Sequence, residues 1–137
     1  MVKRLSIRVP GPGLHDVTDE VRAVVRASGV REGLCTVFIR HTSASLTIQE
    51  NADPSARRDL VAWLDRLVPE HDPLYTHTAE GPDDMPSHIK AALTATSLSI
   101  PVLDGDLGLG TWQGICVWEH RRHPAGGARQ LLVHVGA

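Results

Sequence analysis

The segment QGICVWEHRRHPAGGARQLLVHV, residues 113–135, decides the fold class. Two strand-like runs, Gln113 to Arg121 and Arg129 to Val135, flank His123-Pro124-Ala125-Gly126-Gly127, a row of turn formers. That arrangement predicts a β-hairpin. In the first run Ile115, Val117 and Glu119 share one face while Cys116, Trp118 and His120 share the other. In the second, Leu131, Val133 and Val135 have one parity, and His134 has the other and points outward. Strands adjacent in sequence at the end of a chain that elsewhere mixes strands and helices predict an α+β domain rather than a doubly wound parallel sheet.

Working back along the chain, 97–103 reads as a strand followed by a Gly-rich turn at 104–110. Leu34 to His41 and Ala44 to Glu50 read as two more strands, joined at Thr42-Ser43 by a tight turn or a bulge. Residues 3–9 alternate well enough for a first strand. Three helices are expected. Asp16 to Ser28 has Val17, Val21, Val24 and Val25 in a stripe and Gly29 as its stop. The second opens on Asp53-Pro54 and carries Leu60, Val61, Leu64, Leu67 and Val68 until Pro69. The third, near Met85-Pro86, presents Ile89, Ala92 and Leu93, with Asp83 or Asp84 as its N-cap. Between the last two, 69–84 is a long polar loop, of the kind that often carries function. The expectation is one compact domain over 1–137, a mixed or antiparallel, sandwich-like β structure with about three helices.

Composition sets further bounds. The chain has 137 residues, of which 42% are apolar but only 4% aromatic, so aliphatic packing must dominate the core. A net charge of −2 argues against a general nucleic-acid binder, and no apolar run approaches the ~20 residues of a membrane span. The residues after Met1 lack a signal-peptide apolar block, so a cytoplasmic protein is expected. Cys35 and Cys116 have no metal or redox spacing. The anomaly is 8 His in so short a chain.

Four of these, His15, His71, His123 and His134, fall where a solvated surface residue is the simplest reading. His41 ends the strand whose inward positions are Cys35, Val37 and Ile39, and it is followed by Thr42-Ser43-Ala44-Ser45, whose hydroxyls and turn amides suit an oxyanion or phosphate. The segment 77–90 holds His77, Glu80, Asp83, Asp84, His88 and Lys90, and a helix starting near Asp84 puts Asp84 and His88 on one face. Glu119, His120 and Arg121 place acid, base and cation at one strand end. Imidazoles from separate segments with carboxylates beside them suit a divalent metal. They equally suit acid–base chemistry.

HTSAS (41–45), Asn51 to Asp53, EGPDDMPSHIK (80–90) and LGTWQGI (109–115) followed by EHR (119–121) resemble the motifs of the YjbQ family, also labelled secondary thiamine-phosphate synthases. The resemblance covers nearly the whole chain. It implies a trimer of compact α+β domains with a pocket at or near subunit contacts. It also implies a secondary thiamine-phosphate synthase activity: joining hydroxymethylpyrimidine diphosphate to thiazole phosphate with release of pyrophosphate. The expected centre is His41, His88 and His120 with Asp84 and Glu119. Phosphate contacts are expected from Thr42, Ser43, Ser45, Asn51, Thr111, Gln113, Gly114 and Arg121, with Lys90 a further candidate. A divalent metal, Zn²⁺ or Mg²⁺, would fall on His41, His77, His88 and His120. The alternative is a protein that binds a metal or a small phosphorylated ligand without turning it over.

Overall fold

The computed structural model describes residues 1–124 and 127–137. Eight strands and three helices follow one another as β1 (Val2–Arg8), β2 (Gly13–Asp16), α1 (Thr18–Ser28), β3 (Gly33–Ile39), β4 (Ala44–Glu50), α2 (Pro54–Leu67), α3 (Asp84–Leu93), β5 (Ser97–Leu103), β6 (Asp106–Leu107), β7 (Gln113–Glu119) and β8 (Ala128–Gly136). The strands form a five-stranded sheet, β1-β8-β3-β5-β6, and a three-stranded sheet, β2-β7-β4, with every pairing antiparallel. The α+β expectation holds.

The hairpin expected over 113–135 does not form. β7 lies in the three-stranded sheet and β8 in the five-stranded one, so the connection through His123-Pro124 crosses between layers; Ala125 and Gly126, part of the expected turn, lie outside the described residues. The same holds at Thr42-Ser43: β3 and β4 belong to different sheets, and the segment turns a corner instead of closing a hairpin. The reason lies in the side-chain parity. Val37 pairs with Val133 and Ile39 with Leu131 in one sheet, while Leu46 pairs with Val117 and Ile48 with Ile115 in the other. Both inner faces meet in one core, which α1 completes with Val17, Val21, Val24 and Val25. Two short strands were not expected: Gly13–Asp16, which pairs with β7 and takes the first residue of the stretch assigned to α1, and Asp106–Leu107 inside the Gly-rich turn.

The outer face of the three-stranded sheet is covered by α2 and α3 over a small second cluster of Leu64, Val68 and Trp118. α2 begins as expected, with Pro54 in its first turn and the Asp53 carboxylate accepting from the Ser55 N–H at 2.9 Å. Its last apolar position departs from the stripe, since Leu67 is exposed. α3 is rotated from expectation. It buries Asp84, Pro86, Ser87 and Ala91 and exposes Ala92 and Leu93. Neither Asp83 nor Asp84 caps it through a side chain. Both carboxylates are taken by cations, and that decides which face of α3 turns inward.

Candidate functional site

The rotation of α3 places Asp84, 1% exposed, at the centre of a convergence of charged groups. The Arg121 guanidinium donates to Asp84 Oδ1 at 2.5 Å and to the Glu80 carbonyl at 2.9 Å, and its Nε lies 3.3 Å from Asp83 Oδ2. His88, one turn along α3, has Nε2 3.4 Å from Asp84 Oδ1. His77, from the long loop, has Nε2 2.8 Å from Asp84 Oδ2, but the approach lacks hydrogen-bond alignment, and Oδ2 is a buried atom without a hydrogen-bond partner. The distance and the missing bond are compatible: with the His77 proton on Nδ1, both atoms have unshared pairs free for a third body. One ligand atom each from His77, Asp84 and His88 lies within 4.8 Å of the others.

The tautomer of His88 follows from its other edge. Nδ1 sits 2.8 Å from the Thr42 carbonyl, which can only accept, so the neutral ring keeps its proton on Nδ1 and leaves Nε2 free. A backbone carbonyl holding the far nitrogen is how proteins orient a metal-binding imidazole. The donor set therefore fits a divalent ion: two imidazoles, one carboxylate oxygen with no other partner, and room for a water or substrate oxygen. Of the four histidines expected on a metal, the structure converges His77 and His88. Asp84, expected among the catalytic groups, lies with these two histidines.

His41 and His120 are placed otherwise. His41 borders the same open surface as His77 and His88, but its Nε2 accepts from the Gln130 backbone N–H at 2.8 Å. Burial, together with Arg129 nearby, holds its imidazole below the usual pKa. His120 is 6% exposed, with Nε2 2.9 Å from Ser45 Oγ, and burial, helped by the Lys90 and Arg129 charges, pushes its pKa down to about 3. A serine–histidine pair of this kind invites a nucleophile reading. Ser45 is wholly buried, however, and also takes the Thr94 hydroxyl at 2.5 Å. The pair is part of a buried polar network under α3.

Glu119, expected among the catalytic groups, is likewise buried and spoken for. Both of its oxygens are bonded by Arg129 at 2.6 Å, and Oε2 also accepts the backbone N–H groups of His120 and Arg121. Arg129 extends to the Ser43 hydroxyl at 2.9 Å, so the ion pair props the corner whose Thr42 carbonyl orients His88. Arg129 was not singled out from sequence, yet the signal was there: it shares the inward parity of Leu131, Val133 and Val135, as Glu119 shares that of Ile115 and Val117. Opposite charges at two inward strand positions mark a buried pair. Of the corner hydroxyls, Ser45 is sealed and Ser43 is bonded, so Thr42 alone is exposed.

Asn51, Thr111, Gln113 and Gly114 lie at the opposite end of β7, on a polar hollow that also includes Asp16 and Thr18. Seven residues of extended strand separate that end from Glu119, about 20 Å. Within one chain they cannot act on the same small molecule as His77, Asp84 and His88.

The model of the family described as UPF0047 protein YjbQ-like matches residues 3–137. The UPF0047 protein sll1880 of Synechocystis is 55% identical over 131 residues, covering 96% of this chain and 88% of that protein. The UPF0047 protein YjbQ of Escherichia coli O157:H7 is 44% identical over 95% of this chain and 93% of its own length. Among solved structures, an uncharacterised conserved protein of the YjbQ/UPF0047 family from Clostridium acetobutylicum superposes with a TM-score of 0.89 at 36% identity, covering 98% of this chain and 99% of that one.

Proposed function

The chain belongs to the UPF0047 YjbQ-like family, and from that premise we propose that it is a metal-assisted enzyme of phosphorylated small molecules, with thiamine-phosphate synthesis as one accessible reaction. The observation that carries the reading is the orphaned Asp84 Oδ2, buried between two imidazole nitrogens. His77, Asp84 and His88 would hold a Zn²⁺ or Mg²⁺ ion, which when bound neutralises charge on a departing diphosphate. The chain's own residues supply the rest. His88 is aimed by the Thr42 carbonyl, Arg121 holds Asp84 in position, and the exposed Thr42 hydroxyl and the corner amides can donate to phosphate oxygens. His41, held neutral on the same surface, is the group for proton management.

The test has two arms. Titration with Zn²⁺ or Co²⁺ should show one tight site in the wild type that Asp84→Asn and His88→Ala each weaken at least tenfold. Incubation with hydroxymethylpyrimidine diphosphate and thiazole phosphate should release pyrophosphate in the wild type and not in Asp84→Asn. Metal binding without turnover would leave the ligand-binding alternative, and absence of metal uptake would remove the reading of the centre. The resemblance also implies a homotrimer. The outer face of the five-stranded sheet, with Leu34, Phe38 and Leu103 exposed on it, supports self-association. A monomer at micromolar concentration in light scattering would overturn that part. No helix among the described residues is long and apolar enough to cross a membrane.

A further inference from the structure

α3 has a second side. Met85, His88 and Ala92 turn to the open surface of the candidate metal centre, whereas Pro86 and Lys90 turn the other way, into a cavity of about 300 Å³ enclosed by α2, α3 and β7. Native interiors leave few voids larger than a water, and this volume reaches the lower range of small-molecule pockets. Its wall combines Val61, Val68 and the buried Trp118 with His120, whose ring stands 5.7 Å from that of Trp118. With Nε2 of His120 held at Ser45, its Nδ1 has no protein partner among the described residues.

Charge selects the ligand. Of the other ionic groups lining the cavity, Glu119 is held by Arg129, Glu70 and Arg122 by each other, and Asp83 by the Arg122 N–H, with Arg121 Nε 3.3 Å away. Lys90 is the exception. Its side chain is only 12% exposed, and its one carboxylate partner is Asp65 at 2.5 Å, whose own side chain is 60% exposed. An incoming carboxylate can take the place of Asp65 at little cost, because Asp65 swings back into water while the buried ammonium stays paired.

We infer that this cavity is a second binding site, separate from the metal centre, for a small planar aromatic carboxylate: its ring packs on Trp118, Val61 and Val68 and its carboxylate bonds Lys90 in exchange for Asp65. Binding here does not depend on the function proposed for the metal centre, and it is measured in the presence of chelator.

Benzoate is the probe and benzamide its neutral control. Trp63 and Trp112, both exposed, are replaced by Phe so that fluorescence reports Trp118 alone. Benzoate should quench Trp118 with a Kd in the millimolar range, as suits a ligand of about nine heavy atoms. Lys90→Met should weaken it at least tenfold. Asp65→Asn should tighten it severalfold, because the internal competitor is gone. Benzoate binding no better than benzamide, or an Asp65→Asn variant that binds benzoate no tighter, would overturn the inference. Should Lys90→Met fail to fold, those two comparisons decide alone, since Asp65 lies on the exposed side of α2.

Discussion

The two ends of β7 carry motif residues of similar polarity and use them differently. At the Glu119 end, side chains reach between elements to one another: Glu119 to Arg129 across the two sheets, Arg129 to Ser43 at the corner, and Arg121 to Asp84 on α3. At the Gln113 end they serve the local backbone. Gln113 Oε1 accepts the Gly110 N–H at 2.8 Å and closes a turn, and Thr18 Oγ1 accepts the Ile115 N–H at 2.9 Å. The difference teaches that one end holds charge that must be matched and the other holds chain direction. Substitutions at the first should therefore be read as electrostatic and at the second as steric or conformational.

The largest effect is expected where a buried charge loses its partner. Arg129→Met strips the buried Glu119 of its cationic partner and leaves it only the His120 and Arg121 N–H groups, which should cost about 3–5 kcal/mol in denaturant unfolding. It should also weaken metal uptake, because the corner that presents the Thr42 carbonyl to His88 loses its prop. An unchanged midpoint would show that the pair contributes nothing beyond neighbouring bonds. At the opposite end the corresponding test is steric. A Cβ at Gly114 would stand 2.8 Å from both Asn51 Cβ and Asp16 Oδ2. Gly114→Ala should therefore cost up to about 3 kcal/mol by overpacking. It should leave metal affinity unchanged, and a fall in metal affinity equal to that of Arg129→Met would erase the distinction between the ends.

Acid sharpens the contrast. The unfolded chain protonates His120 near its ordinary pKa of 6.5, whereas in the fold this waits until about pH 3. Between those limits the unfolded state binds the extra proton, so stability rises with pH and is lost as pH falls through the window. From pH 8 to pH 5 the loss attributable to His120 should be about 2 kcal/mol. His120→Gln, which keeps a polar group for Ser45, should flatten that dependence when unfolding is measured at both pH values. An equal slope in wild type and variant would mean that the burial of His120 does not govern acid sensitivity.

Much of this is legible in the sequence. The strand and helix segments followed from periodicity and breakers, and His77, Asp84 and His88 were already named from one motif. What sequence could not show was which strands share a sheet. Val37 and Leu46 have the same inward character whether β3 and β4 form a hairpin or turn a corner, because both arrangements bury the same parity. The orientation of α3 was hidden for a related reason. Ile89, Ala92 and Leu93 offer a plausible apolar stripe, but two aspartates with Arg121 and Arg122 to meet outweigh two exposed aliphatic side chains. Ser45 and Glu119 looked like site residues because of their chemistry, and their burial depends on long-range packing that no local pattern encodes.

The smallest effect is expected at Asp53, just beyond the end of β4 that pairs with Gln113. Its carboxylate accepts the Ser55 N–H at 2.9 Å and thereby satisfies one of the free amides at the start of α2, and this bond draws its pKa below the usual value. Because the group lies at the surface, water replaces most of what Asp53→Ala removes, and Pro54 still presets the first turn. The variant should lower Tm by roughly 2–5 °C at pH 7. As pH falls through the lowered pKa of this carboxylate, the wild type becomes protonated and caps less well, so the difference should shrink in acid. A Tm gap that grows on acidification would show that Asp53 acts through something other than its ionised cap. A loss as large as that of Arg129→Met would place matched charge at both ends of β7.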